Sequence, residues 1–197
     1  MFTRLWICPL VAAALLGSCP VAAQDHRYPD GQAVSDRTPV EPMARIPAIV
    51  FIPTPQDIVE KMLELAAVQN NDVVYDLGCG DGRIVVAAAK RCGCRAVGCD
   101  IDPLRVRDAR ENVARNGLGH LVTIEQKDLF QVDLTPATVV TLYLSTAYNA
   151  RLLPQLDKLK PGSRIVCHQF GIPGRKPRQV VEVKSAQDRR VHILYLY

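Results

Sequence analysis

The feature that most constrains the fold is a regular alternation of short apolar runs with segments of helical periodicity. DVVYDL and RAVGCDI predict buried strands, whereas GRIVVAAAKRC and DPLRVRDARENVARNG predict helices. The second helix has its own boundary signals, because Asp102 and Pro103 precede its apolar stripe and Gly117 follows it. Strand–helix alternation with right-handed crossovers produces a parallel sheet that has helices on both faces.

The rest of the chain completes this pattern. Three more strands are predicted in LVTIEQ, ATVVTLYL and SRIVCHQF, with a helix in YNARLLPQLDKL before the last of them. Two late runs, RQVVEVKS and RRVHILYLY, are too close together for a crossover helix and should pair antiparallel. We therefore predict an α/β fold: a doubly wound, mostly parallel seven-stranded Rossmann-like sheet with a C-terminal antiparallel strand pair.

A further helix is predicted ahead of the first strand, in FIPTPQDIVEKMLELAAV. Thr54 is a natural N-cap, Pro55 suits the first helical position, and Asp57 lies where a capping-box acid belongs.

The first 50 residues differ in composition from the rest. A basic start, an apolar run and a small-residue stretch form the pattern of a secretory signal peptide over residues 1–23. LLGSC also resembles a bacterial lipoprotein box, in which Cys19 would carry the lipid anchor. Residues 24–50 read as a Pro-rich linker and residues 51–197 as the domain. We expect an exported protein, periplasmic or secreted; a lipoprotein, or a cytoplasmic protein with a non-functional leader, are the alternatives.

Composition is that of an ordinary globular protein, with 48% hydrophobic and 22% charged residues. The net charge is +4, and the segment 149–197 holds ten Lys and Arg against three Asp and Glu. That segment is either a solvated edge or a surface that steers an acidic partner. Five cysteines follow the leader without the spacing of a disulfide framework or a zinc site. We expect free, buried or half-buried thiols and no metal.

Three glycines at alternate positions, Gly78, Gly80 and Gly82, follow the first strand in VVYDLGCGDGR. Glycine loses packing and conformational entropy, so the backbone there must turn sharply or approach a ligand. Ligands of open parallel sheets bind beyond the carboxyl ends of the strands, where this loop belongs. A dinucleotide fingerprint needs its third glycine one position later, where this chain has Arg83. Asp76, at the end of the strand, disfavours a pyrophosphate and favours a ligand with positive charge.

The order D-x-G-x-G-x-G from Asp76 to Gly82 resembles the first motif of class I S-adenosylmethionine-dependent methyltransferases. Two further motifs follow in the family's order: Asp100 ends the second strand, and Asp128 follows the third strand in QKDLF. The resemblance extends from about residue 51 to the C-terminus. It implies a methyltransferase whose cofactor is S-adenosyl-L-methionine.

The resemblance also implies a role for each motif residue. The glycine loop lets the backbone approach the cofactor, and Asp76 faces its methionine amino end. Asp100 accepts both ribose hydroxyls, and Asp128 accepts the adenine amino group between apolar walls. The implied cofactor-binding residues are Asp76, Gly78, Gly80, Gly82, Asp100, Ile101, Asp128 and Leu129.

Residues that determine the methyl acceptor are expected just after the fourth strand, in the segment TLYLSTAYN. This segment lacks the N/D-P-P-Y/F motif of enzymes that methylate adenine, which argues against a nucleic-acid acceptor. FIPTP, VVTLYL and LKPGSRIVCHQF, with the glycine loop and DLF, are similar to the eukaryotic mitochondrial protein-lysine methyltransferases. That resemblance implies an amine acceptor, with protein lysine as the candidate.

Two candidate catalytic residues, Tyr143 and His168, lie with Ser145 at the carboxyl ends of strands, where an acceptor amine is expected. His168 is the best candidate for proton transfer, because the ordinary pKa of histidine lies near neutrality. Two other functions remain open at this point. One is a nucleoside-binding protein of the same fold without catalysis, and the other is an NAD-dependent oxidoreductase.

Overall fold

The computed structural model describes residues 51–197. The predicted signal peptide over residues 1–23, the linker over residues 24–50 and the lipid anchor at Cys19 lie outside the described residues. Across residues 51–197, every helix is too short or too polar to span a bilayer.

Seven strands form one sheet in the order β3-β2-β1-β4-β5-β7-β6. β1 to β5 are parallel, and β7 pairs antiparallel with both β5 and β6. The predicted doubly wound sheet with its antiparallel C-terminal pair is therefore confirmed. The strand order reverses between β1 and β4, which places a crevice at their carboxyl ends. The strands are β1 Val73–Leu77, β2 Arg95–Asp100, β3 Val122–Gln126, β4 Val139–Leu142, β5 Arg164–His168, β6 Gln179–Lys184 and β7 Val191–Leu196.

The helices cover both faces of the sheet. They are α1 Gln56–Leu65, α2 Arg83–Cys92, α3 Pro103–Arg115, α4 Thr146–Arg151 and α5 Leu153–Leu156, with a 3₁₀ turn at Leu129–Gln131. α3 follows its sequence signals, since the Asp102 carboxylate accepts a 2.8 Å hydrogen bond from the Leu104 N–H. The single helix predicted after β4 is wrong. Pro154 has no N–H to continue α4, and the chain forms two short helices instead.

The predicted N-cap of α1 is also wrong. The helix begins at Gln56 after Pro55, and no side chain in residues 51–197 caps it. The Thr54 hydroxyl lies 3.1 Å from a ring nitrogen of His168 instead. The Asp57 carboxylate accepts hydrogen bonds from Ser185, in the turn between β6 and β7, and from the next backbone N–H. Both side chains that the local sequence assigns to the helix cap therefore form hydrogen bonds with residues far away in the sequence.

Two apolar clusters, one on each face of the sheet, form the core. One packs α1, α2 and α3 against the sheet, and the other packs α4 and α5 on the opposite face. All five cysteines in residues 51–197 are free thiols: Cys79, Cys94, Cys99 and Cys167 are buried and Cys92 is half-buried. The expectation of buried or half-buried thiols is confirmed for these residues.

Candidate active site

A cavity of about 610 Å³ opens at the carboxyl ends of β1, β2 and β4, where the strand order reverses. Its volume falls within the usual range of ligand pockets, roughly 300–1,000 Å³. Seven predicted site residues line it: Asp76, Gly78, Asp100, Ile101, Asp128, Leu129 and Tyr143. Within the described part of the chain, Gly80, Gly82 and His168 are not part of this lining.

The glycine loop needs its glycines for different reasons. Gly78, Gly80 and Gly82 have φ of +77°, +54° and +73°, a left-handed conformation that strains other residues. A Cβ on Gly80 would collide with the Phe51 ring, which lies over the loop in the cavity wall. A Cβ on Gly82 would lie 3.0 Å from the Ala109 Cβ, so this glycine allows α3 to pack closely. Gly78 is the loop glycine that faces the cavity.

Asp100, at the end of β2, is oriented by two backbone donors. The Gly80 N–H donates to Oδ2 at 2.9 Å, and the Asp102 N–H donates to Oδ1 at 3.0 Å. An ionised carboxylate has about four acceptor sites, so each oxygen keeps one for a ligand in the cavity. Among the described residues nothing else donates to this carboxylate, so it keeps two acceptor sites, as two vicinal hydroxyls require.

Asp76 is a buried carboxylate whose side chain is hydrogen-bonded by Thr141 in the described part of the chain. It is 3% exposed, and the Thr141 hydroxyl donates to its Oδ1 at 2.7 Å. The Asp76 pKa is raised to about 7, mainly by burial, against the opposing effect of the Thr141 bond and with a contribution from the Asp100 and Asp81 carboxylates. A cation that entered the cavity would offset the cost of ionising this group.

Another part of the cavity lining combines the Asp128 carboxylate with apolar side chains. The Asp128 Oδ1 accepts a 3.0 Å hydrogen bond from the Phe130 N–H, which fixes the side chain at the start of the 3₁₀ turn. Ile101 is 43% exposed and lines the cavity together with Leu129. An exposed apolar wall beside a carboxylate suits a flat ring that carries an amino group. The carboxylates, the glycine loop and this wall fit an S-adenosyl cofactor.

Arg83 is a site residue that sequence reasoning treated only as an interruption of the glycine pattern. Its guanidinium pairs with the Asp81 carboxylate and donates to the Thr54 carbonyl at 2.8 Å. The glycine loop is thereby tied to the segment ahead of α1, whose Phe51 and Thr54 also line the cavity. The similarity of FIPTP to the lysine methyltransferases indicates this segment. Its residues also have the pattern of a helix start, so the sequence alone does not predict that they line the site.

His168 lies behind the cavity wall and is fully buried. Its Nδ1 lies 3.1 Å from the Thr54 Oγ1, and its Nε2 lies 2.8 Å from the Nδ1 of His192. The His168 pKa is lowered to about 4, mainly by burial and also by the neighbouring His192, against an opposing effect of Asp188. The expectation of a near-neutral pKa is therefore wrong, because it took no account of burial.

Tyr143 lines the cavity and packs on the His168 ring, with the ring centroids 3.9 Å apart. Burial raises the Tyr143 pKa, so the phenol stays protonated at neutral pH. Ser145 is exposed just before α4 and does not belong to the described lining.

Comparisons with known proteins agree with this geometry. The family model of the ANTKMT methyltransferase domain matches residues 76–179. A protein-lysine N-methyltransferase from Saccharolobus islandicus is 44% identical over 157 residues, which cover 79% of this chain and 96% of that protein. The adenine nucleotide translocase lysine N-methyltransferase of Mus musculus is 37% identical over 125 residues, or 62% of this chain and 54% of that protein.

A solved structure has the same percentage of identical residues as the Saccharolobus islandicus protein. It is a crystal structure described as an RNA methyltransferase from Salinibacter ruber in complex with S-adenosyl-L-homocysteine. It has a TM-score of 0.69 and 44% identity, and the match covers 74% of this chain and 92% of that chain.

The family model spans 104 of the 197 residues, counted from 76 to 179, and therefore more than half of the chain. This match decides against both alternatives, the nucleoside-binding protein without catalysis and the NAD-dependent oxidoreductase. The chain belongs to the ANTKMT methyltransferase domain family and is an S-adenosylmethionine-dependent methyltransferase.

Proposed function

We propose that this enzyme methylates the side-chain amine of a protein lysine. The observation that carries the proposal is the charge of the cavity wall. The charged residues of the lining are five aspartates (Asp76, Asp81, Asp100, Asp102 and Asp128) and three arginines (Arg83, Arg105 and Arg151). Arg83 is paired with Asp81, and Arg105 is paired with Asp108 at 3.1 Å. An acidic wall with two of its cations already paired favours a cationic side chain.

The relatives support two acceptor classes. Two are named as lysine methyltransferases, whereas the Salinibacter ruber structure is described as an RNA methyltransferase. RNA binding depends mainly on Lys and Arg contacts to phosphate. In the cavity wall, Arg151 is not seen paired with a carboxylate and stacks on the Phe130 ring at 3.7 Å. The acidic wall therefore favours lysine, and RNA is the second candidate.

The proposed mechanism requires alignment more than charge stabilisation. When bound, S-adenosylmethionine would supply an electrophilic methyl group on its sulfonium sulfur, with neutral S-adenosylhomocysteine as the leaving group of the transfer to the acceptor nitrogen. Asp76 holds the methionine amino end of the cofactor and Asp100 its ribose, and the apolar wall beside Leu129 excludes water. Such alignment lowers the barrier by roughly 7–11 kcal/mol. The acceptor enters beside Tyr143 and Thr54, two neutral residues that line the cavity.

Product analysis tests the proposal directly. The full chain is incubated with tritiated S-adenosylmethionine and either a bacterial protein extract treated with ribonuclease or bacterial RNA treated with protease. Labelled methyl-lysine in the acid hydrolysate of the protein fraction is the expected result. A labelled nucleoside from the RNA, with an unlabelled protein fraction, contradicts the lysine proposal and establishes the second candidate.

Asp100→Asn is the matched control for this experiment. It preserves the shape of the side chain but loses the charge that faces the cavity. We expect it to abolish incorporation into the protein fraction. Labelling that persists in this variant would show that the methyl transfer does not depend on this cavity.

For the location of the enzyme, we propose export through the predicted leader, with the lipid anchor at Cys19 as the alternative. The support is the signal-peptide pattern in residues 1–23. A reporter that is active only in the periplasm, fused after residue 45, tests this proposal. Activity is the expected result, and an inactive but stably produced fusion refutes export.

A further inference from the structure

A chain of hydrogen bonds runs from the cavity wall through the interior to the surface. The Thr54 Oγ1 lies 3.1 Å from His168 Nδ1, and His168 Nε2 lies 2.8 Å from His192 Nδ1. The Nε2 of His192 lies 3.1 Å from each carboxylate oxygen of Asp188. Thr54 lines the cavity, the two histidines are 0% and 7% exposed, and Asp188 is exposed. Cofactor binding, as described above, uses none of these four groups.

Asp188, at the surface end, determines which group donates in each hydrogen bond of this series. A backbone N–H of Arg190 and the bond to His192 lower the Asp188 pKa, so at neutral pH this carboxylate only accepts hydrogen bonds. His192 therefore donates from Nε2 and, when neutral, accepts at Nδ1. His168 must then donate from Nε2 and accept at Nδ1, and the Thr54 hydroxyl must donate to it. The Thr54 Oγ1 then keeps its lone pairs for a further donor, and the residue itself lines the cavity.

We propose that Thr54, His168 and His192 conduct a proton from the acceptor ammonium to Asp188 at the protein surface. The proposal rests on the proposed function, because a lysine side chain enters the cavity as an ammonium ion. Its ordinary pKa of about 10.4 leaves almost no free amine at neutral pH. Its nitrogen has no lone pair for attack until one proton has left.

The transfers balance. The acceptor N–H bond breaks and its proton joins Thr54 Oγ1, while the Thr54 hydroxyl proton moves to His168 Nδ1. The proton on His168 Nε2 moves to His192 Nδ1. The electron pair of the broken N–H bond remains on the acceptor nitrogen, and the positive charge now lies on His192 beside the Asp188 carboxylate. Loss of the Nε2 proton of His192 to solvent through Asp188 leaves one proton on each ring, at Nδ1. After the product leaves, the reverse transfers take one proton from solvent at Asp188 and release one into the emptied cavity, which returns the N–H of each ring to Nε2.

The burial of His168 suits a relay. Because this ring gains a proton at Nδ1 as it loses one at Nε2, it conducts the charge without holding it. The titratable side chains seen against the two rings are Tyr143, which packs on His168, and Asp188, which accepts from His192. Tyr143 is neutral and Asp188 is anionic at neutral pH, so both favour passage of a positive charge toward the surface. Thr54 touches the acceptor, whereas His168, His192 and Asp188 are positioning residues that act through it.

Ring ¹⁵N chemical shifts of the protein without cofactor or acceptor test the direction of the chain. The protein has four histidines, so His168→Asn and His192→Asn assign the two signals. At about pH 8 we expect the N–H at Nε2 of both rings. An N–H at Nδ1 of either neutral ring overturns the proposal, whichever acceptor the enzyme methylates.

Kinetics of three variants test the relay itself. Thr54→Val removes the hydroxyl but keeps the shape, Thr54→Ser keeps the hydroxyl, and His120→Gln changes an exposed histidine outside the chain of hydrogen bonds. Rates of tritium transfer to the ribonuclease-treated protein extract are compared at about pH 7 and about pH 9.5, nearer the lysine pKa. We expect Thr54→Val to lose about 100-fold at the lower pH and to recover most of it at the higher pH.

The controls separate proton transfer from structure. His120→Gln should match the wild type at both pH values, Thr54→Ser should lose far less activity than Thr54→Val at the lower pH, and all three variants should bind S-adenosylhomocysteine as the wild type does. An equal loss for Thr54→Val at both pH values shows a purely structural role and overturns the relay. If the wild type labels no protein, the proposed function fails, while the ¹⁵N shifts still decide the direction of the chain.

Discussion

Replacement of Asp76 by asparagine should stabilise the cofactor-free protein at neutral to alkaline pH while weakening cofactor binding. Asparagine preserves the shape and keeps the oxygen that accepts the 2.7 Å hydrogen bond from Thr141. It removes a charge that is only 3% exposed. The wild-type protein bears the cost of that buried charge because the cavity binds a cation, so function opposes stability at this residue.

The raised pKa sets the sign and the size of the effect. Burial moves the Asp76 pKa from 3.8 to about 7. The stabilising contribution of such a group is complete below the unfolded pKa and is lost as the pH rises through the folded pKa. A shift of about three pH units, at 1.36 kcal/mol each, is on the order of 4 kcal/mol. Asp76→Asn does not titrate, so its advantage should grow from near zero at about pH 4 to that size at about pH 8.

Urea unfolding of the wild type and Asp76→Asn across this pH range measures the difference in free energy of unfolding. Asp100→Asn is the control, because its carboxylate is half-buried and held by two backbone N–H groups. It should weaken binding of S-adenosylhomocysteine without the gain in stability. If the free energies of unfolding of the wild type and Asp76→Asn differ by a constant amount from acid to alkaline pH, ionisation of Asp76 costs no stability and the reasoning is refuted.

Three further predictions follow from the same structure. Gly80→Ala should weaken binding of S-adenosylhomocysteine in calorimetry, because φ is +54° and the added Cβ would displace the Phe51 ring. Gly117→Ala is the control, because its φ is +68° but its added Cβ meets open space. Both variants should lose about 1–2 kcal/mol of stability, and Gly117→Ala should leave the affinity unchanged. Equal affinities for the two variants contradict this. Wild-type affinity should fall as the pH drops below about 7, where Asp76 is protonated, and a flat profile contradicts that. Asp72→Asn should lower the free energy of unfolding by about 1–3 kcal/mol in urea, because it removes the charge partner of Arg164, and unchanged stability contradicts this.

The sequence predicted the sheet because its signals are local and agree with one another. β-branched runs, helical periodicity and the short gap between the last two strands each specify one element or one pairing, and together they leave one topology. The cavity follows from that topology, since Asp76, Asp100 and Asp128 each lie at or just beyond the carboxyl end of a strand in the parallel part of the sheet.

The errors lie where a side chain finds a distant partner. Thr54 has the sequence signature of an N-cap, but its hydroxyl reaches His168, 114 residues away. His168 was assigned the pKa of an exposed histidine, because its burial depends on α1 and β7 and cannot be read from neighbouring residues. The packing requirement at Gly82 was likewise not readable from the sequence, because it comes from the approach of Ala109 on α3.

One measurement tests most directly whether this cavity is the cofactor site. S-adenosylhomocysteine, S-adenosylmethionine and NAD are titrated by calorimetry into the wild type and into Asp100→Ala. We expect the wild type to bind the two S-adenosyl compounds and not NAD, and Asp100→Ala to bind none of the three. Tight binding of NAD, or binding of S-adenosylhomocysteine that Asp100→Ala leaves intact, would contradict the assignment of the cavity.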